Sequence, residues 1–144
     1  MTKFSYGRRV GPYCAFRRTA KSSAKAIEDV KMRLNTRLTR IYLGTACDDD
    51  FCAIATYLLY GYILAGNFEE IEQKPFQEAV ISLRKAKEDM VKGEINKPLL
   101  DAVSAQFEVA EAMVFDLTIG EQEQLQKHVS KHGLAMLNKM QEGV

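Results

Sequence analysis

From about Ser22 the apolar residues Ile27, Val30, Leu34, Leu38 and Ile41 recur at intervals of three and four, the spacing of one helix face, and Gly44 supplies a stop. Asp48, Asp49 and Asp50 then precede a charge-free run from Phe51 to Ala65, which ends at Gly66 and Asn67. Carboxylates favour a helix start and Gly or Asn a helix end, so this run is a second helix bounded on both sides. At about 1.5 Å per residue its apolar core spans on the order of 22 Å, short of the roughly 30 Å of a hydrocarbon layer. It therefore reads as a buried central helix, with no membrane partner expected.

A short turn of helix from Phe68 to Gln73 is expected before Pro75, which suits a first helical position. Phe76, Val80, Leu83 and Met90 mark the third helix, flanked by Ala79 and Ala86 and leaving at Gly93. Asn96 and Pro98 open the fourth, where Val103, Phe107, Ala110, Val114 and Leu117 form the cleanest amphipathic stripe of the chain. Thr118 followed three residues later by Glu121 is a capping-box pattern, so a fifth helix starts there and turns Leu125, Val129, Met136 and Met140 inward. Gly133 is its weak point, a bend or a close approach. An apolar helix must be wrapped by the others. The expectation is all-α: a single-domain bundle of four to five helices around a central apolar helix (residues 22–144), preceded by an irregular basic arm (residues 1–21).

Charge changes this picture. The first 42 residues hold eleven Lys and Arg against Glu28 and Asp29 alone, a formal charge of about +9, whereas the whole 144-residue chain has a net charge of only +1. The remaining helices are correspondingly acidic. On the first helix, a rotation of about 100° per residue gathers Arg33, Arg37 and Arg40 in one stripe, read as lying opposite the apolar face. Upstream, Arg8, Arg9, Arg17 and Arg18 alternate with Tyr6, Tyr13 and Phe16, cations for phosphates and rings for stacking on exposed bases. Together with Lys21 and Lys25 these residues are the candidate nucleic-acid surface. The alternatives are a solvated face, internal pairing with Glu108, Glu111 and Asp116, or an acidic protein surface gripped through bidentate arginines, including a second copy of the chain. Phe4 joins the aromatic anchors in the protein-partner reading.

Other chemistry is set aside on spacing. The Asp48-Asp49-Asp50 run lacks the alternating acids and glycine of a calcium loop and reads as a helix start. His128 and His132 share a helix face as zinc ligands do, but Val129 stands where a metalloprotease carries its glutamate, and no third ligand is evident. No metal or cofactor is expected. Three cysteines, Cys14, Cys47 and Cys52, make an odd, irregular set that fits neither a disulfide framework nor a paired zinc hook. With basic residues where a secretory core would lie, a cytoplasmic location is expected, although the Arg-rich, acid-free start shares composition with a transit peptide. Cys14, beside Arg17 and Arg18, is the most reactive thiol on this reading. Tyr57, Tyr60 and Tyr62 are read as packing with hydroxyls at the rim. No phosphate loop, serine elbow or kinase pattern is present, so a non-enzymatic binding protein is the expectation.

Overall fold

The structure, a computed structural model, describes residues 20–67 and 72–142. Among the described residues five helices follow one another: α1 (Ala24–Leu43), α2 (Asp48–Gly66), α3 (Lys74–Val91), α4 (Lys97–Phe115) and α5 (Ile119–Glu142). Each begins or ends on chemistry visible in the chain. Ser23 caps α1 by accepting a hydrogen bond from the Ala26 amide, and Gly44, at φ 74°, closes it in the left-handed conformation that a side chain would strain. The acidic run does start α2, with a division of labour: Cys47 is the N-cap and Asp50 reaches back to its amide at 3.1 Å. Asn96 accepts from the Leu99 amide at the start of α4. At α5 the reciprocal capping box forms as expected, Thr118 N to Glu121 Oε1 at 3.1 Å and Glu121 N to Thr118 Oγ1 at 3.2 Å.

Helix α2, charge-free beyond Asp50, is the axis of the bundle, packed by all four other helices. Ile54 and Leu58 are fully buried, and Phe107, Val103 and Ala110 of α4 meet them from the amphipathic stripe. Gly61 lets α3 approach closely, since a Cβ there would lie 2.3 Å from Cε1 of Phe76. α5 runs unbroken through the buried Gly133. Tyr57 packs edge-on against Tyr60 and Phe107, confirming the aromatic residues of α2 as packing. Among the described residues no helix is long and apolar enough to cross a membrane. The expected turn from Phe68 to Gln73 lies mostly outside the described residues.

The N-terminal root is stitched to the bundle. Lys21 and Thr118 form an isolated antiparallel bridge, the Ile119 amide donates to the Ala20 carbonyl at 2.8 Å, and Gln122 Nε2 donates to Ser22 Oγ at 3.2 Å. This fixes where the chain enters: the corner between α4 and α5.

Candidate functional site

Helices joined by a short link run antiparallel, which brings the last turns of α1 onto the first turn of α2. Here the carboxylate of Asp50, only 1% exposed, receives Arg40 in a fork: Nε to Oδ2 at 3.0 Å and Nη2 to Oδ1 at 2.7 Å. Arg37 adds Nη1 to Oδ1 at 3.1 Å. The hydrogen bonds from Arg40 hold the Asp50 carboxyl far below its ordinary value despite burial, with the Cys47 amide adding to the effect. Arg40 is in turn held more firmly protonated by Asp50.

This corrects the placement of the basic stripe. Arg33, Arg37 and Arg40 centre roughly 90° from the line of Leu34, Leu38 and Ile41 rather than opposite it. A stripe on the flank of α1 faces the neighbouring helix, and α2 presents Asp50 there. The two arginines are nevertheless anchored rather than buried, with side chains 36% and 42% exposed. One carboxylate against two guanidiniums leaves the cluster net positive.

Of the other expected contact residues, Lys25 and Arg33 are exposed on α1. Lys21, with half its side chain open, meets Asp116 at 3.1 Å, so one of the three acids considered as internal partners does take a basic residue of the N-terminal segment. Tyr6, Arg8, Arg9, Tyr13, Cys14, Phe16, Arg17 and Arg18 lie outside the described residues. From the first turn of α1 to Arg40 is about 24 Å along the helix. The surviving open cations thus extend from the entry corner along α1 to the Asp50 cluster.

Two further features are titratable groups whose surroundings the sequence did not show. Glu111 on α4 is buried, and among the described residues its Oε2 accepts no hydrogen bond. Burial pushes its carboxyl up to about 7, against the attraction of Lys31, and Glu108 adds to the rise. Lys31 reaches across from α1 with Nζ 5.9 Å from the centre of the Phe115 ring, and burial, then Tyr60 and Glu111, push Tyr57 up to about 12. A lone Glu on an otherwise apolar helix face, one turn beyond Phe107, was the available signal.

The second is on α5. The rings of His128 and His132 lie 4.9 Å apart, and His128 is shifted toward its neutral form by burial and then by His132. Among the described residues no group of three or more His, Cys, Asp or Glu is placed to hold a metal ion. Cys47 and Cys52 are exposed free thiols.

Comparison with known proteins adds no relative: no family model matches the chain, and no curated protein or solved structure shows significant similarity to it.

Proposed function

We propose that this chain is a non-enzymatic binding protein that takes nucleic acid on the basic surface running from its N-terminal root along α1. The observation that supports this best is the Arg37–Asp50–Arg40 cluster. A buried carboxylate fixes two guanidiniums in place while more than a third of each side chain stays open. Anchored arginines lose little further freedom on meeting a phosphate, and their planar forks match its geometry. Arg33 and Lys25, both exposed, extend the basic surface toward the entry corner, with the exposed Asp29 one helical turn from each.

The test is binding of a labelled single-stranded oligodeoxynucleotide and a labelled RNA of equal length across a salt series. Phosphate contacts predict an affinity that falls log-linearly with salt. Absence of binding at low salt overturns the reading.

A protein partner is the second reading, and Met32 and Leu43 favour it. Both are largely exposed, at 63% and 68%, and eleven residues apart they share the outward line of α1. Apolar anchors on that line would make binding to an acidic protein less sensitive to salt than phosphate binding.

A further inference from the structure

The acidic half of the chain ends in a helix whose outward face is basic. Between Glu123 and Glu142 the sequence holds Lys127, His128, Lys131, His132 and Lys139 and no acid. At about 100° per residue, Lys127, His128, Lys131 and His132 share one side of α5. A surface concavity of about 630 Å³ lies against this side, lined by these four residues with Gln124, and with Glu123 as the acid at its edge. Lys127, Lys131 and His132 are exposed and His128 is half-buried.

This face connects to the surface proposed above around the start of α5. Ser22, two residues before α1, is hydrogen-bonded to Gln122 in the first turn of α5, and Lys127 lies about 7.5 Å further along that helix and about 140° around it. A strand leaving Lys25 at the entry corner therefore reaches Lys127 by passing around the outer side of α5. Two ammonium groups on the rim disfavour a metal cation between the histidines, and no third ligand is at hand among the described residues. An anion finds the opposite: two ammonium charges, an amide from Gln124 and a ring N–H from His132.

We infer that the Lys127–His132 face of α5 is a second phosphate-contacting surface, continuous around the α4–α5 corner with the one on α1, for a single nucleic-acid strand. The inference rests on the nucleic-acid reading and adds where the strand goes: across the corner rather than along α1 alone. Phosphate is the recognised chemistry; base identity plays no part in it.

The experiment measures the salt dependence of binding to a fluorescein-labelled single-stranded oligodeoxythymidine for the wild type, the double variant Lys127→Ala/Lys131→Ala, and a charge-matched control, Lys85→Ala/Lys92→Ala. The control residues are exposed on and just after α3. Loss of two phosphate contacts is expected to lower the slope of log affinity against log salt by about 1.4 in the α5 variant, at about 0.7 per contact, and to leave the control at the wild-type slope. An unchanged slope in the α5 variant overturns this inference alone. An equal loss in both variants assigns the effect to total charge and overturns it too. Failure of the wild type to bind the oligonucleotide, including the case in which it captures only polyglutamate, overturns this inference together with the reading beneath it. Circular dichroism confirms that each variant keeps its helices.

Discussion

Arg40 and Asp50 meet as a two-pronged pair across the α1–α2 corner, Nη2 to Oδ1 at 2.7 Å and Nε to Oδ2 at 3.0 Å. The same carboxylate accepts the Cys47 amide and so also caps α2. One buried acid thus stabilises the start of the central helix and fixes the position of two arginines on the surface. Replacing Asp50 by Asn removes the charge from all these bonds. A loss of about 1.5–3 kcal/mol is expected, the range for hydrogen bonds to a charged group, read by urea denaturation. Arg40→Ala should lower the melting temperature clearly, whereas Arg33→Ala, exposed and outside the cluster, should leave it nearly unchanged.

The acid limb of stability follows from the same pair. Because the folded-state carboxyl titrates well below its ordinary 3.8, its contribution is complete above that value and is lost as pH falls toward the lowered one. The Asp50→Asn variant is expected to lose less stability than the wild type on acidification below about pH 4, measured as the difference between their unfolding curves.

Glu111 works in the other direction. Its folded carboxyl titrates near 7 against an ordinary 4.5, so between those values the folded chain holds a proton that the unfolded chain has released. Stability from this group therefore falls as pH rises from about 4.5 to 7 and stays lost above. Glu111→Gln should be more stable than the wild type at about pH 8, by on the order of 1–3 kcal/mol, and should converge with it near pH 4. Equal pH profiles for the two proteins would contradict this assignment.

Gly61 carries the close contact between α2 and α3. Gly61→Ala sets a methyl group 2.3 Å from Cε1 of the buried Phe76 and is expected to cost about 1–3 kcal/mol through overpacking. Combining it with Phe76→Leu should be less harmful than the two single effects summed, because the smaller side chain leaves room for the methyl group.

The helices were legible because local signals agreed with one another. Asn96 and the Thr118–Glu121 pair cap where their side-chain chemistry suggests, and the charge-free run of α2 reads as the centre. The stripe of arginines was legible as a stripe, but its partner was not. Arg37 and Arg40 lie about a quarter-turn from the apolar line, which places them at the seam with α2, and only the antiparallel return of the chain shows that Asp50 occupies that seam. Counting charge by halves also hid the basic face of α5, because the acids of α3 and α4 dominate the sum. Glu111 was masked by the same bookkeeping, as one acid among many until its burial singled it out.

The account turns on whether the cations of α1 outside the Asp50 cluster meet phosphate. The most direct measurement compares the salt slope of oligodeoxythymidine binding between the wild type and Lys25→Ala/Arg33→Ala. Two lost contacts predict a slope shallower by about 1.4, with melting temperature unchanged. A variant that binds with the wild-type slope would contradict the claim that this surface serves an outside polyanion.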